Sequence, residues 1–125
     1  MSNILNVIKF EGLLDHEDSC GRVREIIKTD NISLTTITVR GAGKAHKHLK
    51  TDEIYHLMTG RIQVLILDDA HKIIESHVLN KNDTIRIPLN TWHKVKNAKG
   101  FSYSHVLVIN NPPYSLEDNI PLPKK

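Results

Sequence analysis

Cysteine is almost missing from this chain: Cys20 stands alone among 125 residues. A single thiol excludes an internal disulfide framework, and with it the small stapled scaffolds of secreted proteins. The expected compartment is therefore the cytoplasm. Nothing near Cys20 in sequence activates it as a nucleophile. Aromatic residues are also scarce at 5%, and the lysines are scattered, so the basic stripe with interleaved aromatics of a nucleic-acid binder is missing. No apolar run approaches the roughly 20 residues that span a bilayer. Met1 to Asn6 carries no basic stretch followed by a long apolar run, so no signal peptide is expected. Partners are expected to be small molecules, with no nucleic acid and no membrane.

Helical periodicity is the next absence. Nowhere do apolar residues hold the i, i+3, i+4, i+7 spacing over three turns, which argues against long helices. Short β-rich runs recur between turn signals instead. Arg22–Ile27, Leu34–Val39, His46–His48, Glu53–Met58, Ile62–Leu67, Lys72–Leu79, Thr84–Ile87, Trp92–Lys96 and Phe101–Ile109 read as strands. Many short, evenly spaced strands predict an antiparallel barrel or sandwich. The composition, 39% hydrophobic and 25% charged with a net charge of +3, fits one globular domain over 1–125, its barrel core at about 22–109. The tail 110–125 holds Pro112, Pro113, Pro121 and Pro123, and is expected to run along the surface as neither strand nor helix.

Histidine is plentiful by contrast, with eight in the chain. In a strand, residues i and i+2 share a face, so His46 and His48 present both rings to one side. Glu53 opens the adjoining strand, and His93 arrives from elsewhere in the sheet. Three imidazoles and a carboxylate are a first shell for a divalent transition metal. Imidazole suits iron, zinc, nickel, copper and manganese, and the hard oxygen favours manganese or ferrous iron. The expected cofactor is one such ion, Fe, Mn, Zn or Ni. Four protein ligands around an octahedral ion leave two positions for water or substrate, as in a catalytic rather than a structural site. His16, His56, His71 and His77 read as surface or hydrogen-bonded residues.

Around that shell, Tyr55 shares the face of Glu53 and is a candidate catalytic residue. Tyr103 and His105 share a face on the last strand, and either is a candidate for moving a proton at bound water or substrate. Arg40, Lys44 and Arg86 are candidates for holding a carboxylate or phosphate, although for Lys44 the solvated-face reading is the commoner one. Trp92, one residue before His93, is expected to point away and pack.

The run His46-x-His48-x4-Glu53-x6-Gly60 resembles the first cupin motif without a gap. Asn82-x5-Pro88-x-Asn90-x2-His93-x3-Asn97 resembles the second, with asparagine at both usual glycine positions. Asparagine is the residue after glycine that best tolerates positive φ, so both turns stay feasible. Gly41 lies one residue closer to His46 than the pattern asks. The resemblance implies a single antiparallel jelly-roll β-barrel with His46, His48, Glu53 and His93 as inward ligands. It also implies a homodimer through sheet edges, with the stretch Ile4–Phe10 as contributor. Three functions compete: a metalloenzyme of dioxygenase, decarboxylase or isomerase type acting on a small polar or anionic molecule; a non-catalytic metal- or ligand-binding module; and a metal-independent relative of sugar-nucleotide isomerases and epimerases. A phosphate near Arg22, Arg24 or Arg40 would mark the third.

Overall fold

A computed structural model describes residues 9–113 and 115–121. Among the described residues, eleven strands make two antiparallel sheets. In chain order they are β1 Asp15–Asp18, β2 Gly21–Lys28, β3 Ser33–Val39, β4 His46–His48, β5 Asp52–Thr59, β6 Ile62–Leu67, β7 Ile73–Leu79, β8 Thr84–Ile87, β9 Trp92–Asn97, β10 Ser104–Asn111 and β11 Asn119–Pro121. One sheet runs β1-β2-β3-β10-β5-β8 and the other β11-β4-β9-β6-β7. The strand spacing predicts an antiparallel barrel or sandwich, and this crossing order is the jelly roll that the cupin resemblance implies.

Side-chain alternation builds the interior. Leu57 on β5, Ile62 and Val64 on β6, Ile87 on β8, and Val106 and Val108 on β10 are fully buried and belong to one apolar cluster. These are the inward residues of successive strands, as period-2 geometry demands. The turns carry the expected chemistry: Asn82 sits at φ 74° and Asn90 at φ 58°, taking the left-handed conformation that glycine usually supplies. Gly60 at φ 90° admits no side chain, because a Cβ there would lie 2.1 Å from Ser104 Oγ.

Three expectations are corrected. β1 lies outside the strands expected from sequence; its Asp15-His16-Glu17-Asp18 run has no apolar alternation, and it forms by pairing with β2. The last long strand starts at Ser104 rather than Phe101, because the Ala98-Lys99-Gly100 turn extends to Phe101, whose amide donates to Ala98 O at 3.3 Å. Part of the proline-bearing tail is also a strand: β11 pairs with β4 in the register Asn119↔His48 and Pro121↔His46. Proline is tolerated there because β11 is the edge of its sheet. The stretch Ile4–Phe10, expected to serve a dimer, lies largely outside the described residues.

Candidate metal centre

Two sheets contribute to one cluster. His46 and His48 come from β4, and His93 from β9, where it stands directly opposite His46. Glu53 comes from β5 in the facing sheet. The ligating atoms of these four side chains all lie within 4.8 Å of one another. Glu53 Oε1 is 3.1 Å from His48 Nε2 and 3.3 Å from His93 Nε2. The turn before β9 fixes this arrangement, since the Asn90 amide donates to His48 O.

Backbone carbonyls choose the tautomers. Lys44 O lies 3.0 Å from His46 Nδ1, and Thr91 O lies 2.8 Å from His93 Nδ1. A carbonyl can only accept, so each Nδ1 carries the proton and each Nε2 turns a lone pair toward the cluster. His93 is 1% exposed, yet its Nε2 makes no hydrogen bond. A buried nitrogen without such a partner is costly unless something else fills its lone pair. The donor set and its spacing fit a divalent transition metal.

The electrostatics agree. Burial opposes the charge on Glu53, but the adjacent His48 and His93 imidazoles overcome it and hold the carboxyl at about 2. Burial, aided by the neighbouring His93, depresses His46 to about 4. Burial also opposes the charge on His48, yet Glu53 and then Asp118 outweigh it and raise its pKa. His48 is thus an imidazole whose protonated form its surroundings favour, and a metal would compete with that proton.

A cavity of about 410 Å³ opens beside the cluster and includes His46, His48, Glu53 and Tyr55 in its lining. Val23, Ile37, Val39, Ala45 and Val95 give its walls an aliphatic part, beside polar residues such as Asp18, Thr35 and Thr38. Tyr55 behaves as the strand phase predicts: it is buried, and its hydroxyl donates to Glu53 Oε1 at 3.3 Å. Tyr103 and His105 do not. The inward residues of β10 are Ser104, Val106, Val108 and Asn110, so His105 lies on the other face, with Nδ1 3.2 Å from Thr38 Oγ1. Tyr103 precedes the strand, is 53% exposed and packs edge-on against His105. Neither Tyr103 nor His105 lines the cavity.

The arginines are also elsewhere. Arg40 is exposed and paired with Glu17 at 2.8 Å, and Arg86 is exposed and paired with Asp52 at 2.8 Å. Neither lines the cavity. Arg22 does, but its guanidinium is bound in a fork by Asp15, at 2.8 and 2.6 Å. Of the arginines expected at the phosphate site of a sugar-nucleotide enzyme, Arg22 and Arg40 are thus paired with carboxylates. Lys44 lines the cavity. So does His16, which the sequence places on the plain surface; it reaches the lining only because β1 folds back onto β2. Trp92 points away from the cluster as expected, its Nε1 donating to Asp69 at 3.1 Å under the Lys47 ammonium.

Comparison with known proteins places these features in context. The model of the auxin binding protein family matches residues 6–119. An uncharacterized protein of Methanocaldococcus jannaschii, MJ1618, is 38% identical over 73 residues, which are 58% of this chain and 53% of that protein. Among solved structures, the oxalate decarboxylase of Bacillus subtilis superposes with a TM-score of 0.79 at 17% identity, covering 98% of this chain and 33% of that one. KdgF from Halomonas sp. superposes with a TM-score of 0.67 at 19% identity, covering 78% and 86%. The oxalate decarboxylase–formate complex of Lactobacillus farciminis gives 0.75 at 15% identity, covering 98% and 38%. The chain thus spans about half the length of its curated relative and about a third of the decarboxylases.

Proposed function

This chain belongs to the auxin binding protein family, within the cupin superfamily, and from that premise we propose that it captures a small carboxylic acid on a divalent transition metal. His46, His48, Glu53 and His93 are the metal ligands in this reading. The observation that carries it is the buried His93 Nε2, without a hydrogen bond, in a cluster whose four donor atoms lie within 4.8 Å. The acid is suggested by chemistry common to the related names: auxin, oxalate and formate are carboxylic acids or their anions, and the B. subtilis decarboxylase is described with Mn(II) centres.

The chain's own residues have defined parts. Lys44 O and Thr91 O hold the His46 and His93 rings in one tautomer and orientation. Tyr55 steadies the Glu53 carboxylate and keeps one of its oxygens aimed at the imidazoles. The aliphatic part of the walls excludes water and accepts the apolar body of the acid, while Lys44 adds positive charge on the cavity lining. When bound, the metal would supply an electrophilic anchor for a carboxylate oxygen.

Turnover of the acid is the second reading, as a metalloenzyme of dioxygenase, decarboxylase or isomerase type. It is favoured by Tyr55, whose hydroxyl adjoins the ligand set from the cavity wall. Elemental analysis of protein purified without chelator or affinity tag tests the metal. About one transition metal per chain is expected; protein that arrives metal-free and refuses added Mn, Fe, Zn and Ni would overturn the proposal. Calorimetric titration of metal-loaded protein with oxalate, formate and an arylacetate tests the ligand class. Binding of acids but not of their amides is expected. Equal binding of both would remove the carboxylate from the proposal while leaving the metal site intact.

A further inference from the structure

One buried side chain outside the metal cluster is only half satisfied. Asn110, on β10, is 0% exposed and shares the inward face of its strand with Val106 and Val108. It lies directly opposite Glu53 on β5 and Ser33 on β3. Its Nδ2 donates to Thr35 Oγ1 at 3.4 Å, and its Oδ1 makes no hydrogen bond. Thr35 is itself 1% exposed and lines the cavity. With one oxygen lone pair taken up by Asn110, the Thr35 hydroxyl still has a proton to give. Among the described residues no acceptor meets it. The nearby carboxylate of Glu25, opposite Thr35 on β2, instead accepts the Leu14 amide at 3.4 Å.

Turning the amide over would let Thr35 donate to Oδ1 but would strand the Nδ2 protons. In either orientation the pair is short of a partner, and an unmet polar group away from water is costly. A hydroxyl answers both cases, since it donates and accepts. A carboxylate only accepts, and a methylene does neither. We propose that Thr35 and Asn110 form a second polar subsite in the cavity wall, which recognises a hydroxyl group and makes the preferred ligand a hydroxy acid. Resting on the acid capture already proposed, this subsite holds the hydroxyl while the metal cluster holds the carboxylate. The placement suits that division. β10 lies between β3 and β5 in its sheet, so Asn110 stands between the strands of Thr35 and Glu53, which line the same cavity. An acid whose apolar body covered the pair would strand it, whereas a hydroxyl there replaces the bonds that water would make.

Calorimetric titration of metal-loaded protein with butyrate, 3-hydroxybutyrate and 4-hydroxybutyrate tests the subsite. At least one hydroxy acid is expected to bind about tenfold tighter than butyrate. Thr35→Val and Asn110→Leu, each close to the original shape, are expected to bring that ratio near one. Thr36→Val, on the opposite face of β3, should leave it unchanged. Far-UV circular dichroism and metal stoichiometry check that each variant keeps its fold and cluster, and the comparison on the unmodified chain decides even where a variant fails to fold. Equal binding of the three acids would overturn the subsite, leave acid capture standing and assign the pair to a buried water. A preference that survives both variants would place the hydroxyl elsewhere and overturn it as well. Binding of none of the acids would overturn acid capture and the subsite together.

Discussion

Along β5 the inward side chains change character within four residues. Leu57 sits in the apolar cluster with Ile62, Val64, Val106 and Val108, whereas Glu53 faces His48 and His93 from across the interior. The two side chains are almost equally buried, with Leu57 at 0% exposure and Glu53 at 3%. They differ in what burial does. At the apolar end it stabilises the fold, by about 25 cal/mol per Å² of apolar surface removed from water. At the polar end it costs free energy, because ionisable groups are held away from water and must be satisfied by one another or by a metal. The same jelly roll therefore separates a part that supplies stability from a part that gives some of it up to hold a cluster of ionisable groups.

The sharpest way to break this contrast is to exchange the consequences of mutation. Leu57→Ala is expected to lower the unfolding free energy by about 3 kcal/mol, with metal stoichiometry unchanged in the folded fraction. Denaturant titration alongside elemental analysis reads both, and loss of metal at native stability would refute the separation. Acid is the second lever. His46 is held near 4 in the folded protein and near 6.5 when unfolded, so the unfolded chain binds the extra proton between those values. Metal-free protein should lose stability as pH falls from about 6.5 to 4, by on the order of 2 kcal/mol. Glu53, held at about 2, contributes stability that is present above its unfolded value and lost as pH falls through 4.5 toward 2. His48 acts in reverse: its pKa is raised from 6.5, so its contribution is complete below that value and fades as pH rises past its folded value. His46→Asn should flatten the first of these slopes in thermal melts across pH; an unchanged slope would assign it to another group.

Effects on the metal come next. His48→Ala is expected to reduce metal affinity at least about tenfold with the barrel still folded, and retained stoichiometric metal would remove His48 from the ligand set. Glu53→Gln should weaken binding less and shift preference toward softer ions, read by competition between manganese and zinc. Tyr55→Phe is the mildest, removing one hydrogen bond to a charged group. A loss of about 1 to 2 kcal/mol in metal affinity is expected, with stability nearly unchanged.

The separation is legible in the sequence where it depends on local geometry. The i, i+2 spacing of His46 and His48 puts both rings on one side, and Tyr55 two residues beyond Glu53 shares its face. Asn82 and Asn90 signal left-handed turns correctly. The last strand resists reading because both of its faces are apolar: Leu107 and Ile109 alternate with Val106 and Val108, so periodicity alone does not say which set is buried. Tyr103 and His105, expected inward on that ambiguous strand, lie on the other side. β1 and β11 escape sequence reading for another reason. Neither has strand-like composition, and each is held by its partner, β1 by β2 and β11 by β4. Pairing between distant segments leaves no periodic trace in either.

The short strand carrying His46 and His48 is three residues long and is hemmed by β9 on one side and β11 on the other. Just after it, the Asp118 carboxylate accepts the Leu49 amide at 3.0 Å and the Lys50 amide at 3.1 Å. Those two amides can exchange with solvent only when the segment around Asp118 lifts. Lifting it also frees one side of the strand that holds His46 and His48, two of the four proposed ligands. The lifetime of a bound ion would then be set by how often this clasp opens as well as by the strength of the coordinate bonds. Deuterium uptake at Leu49 and Lys50 would time that opening directly, without any need to see the metal leave.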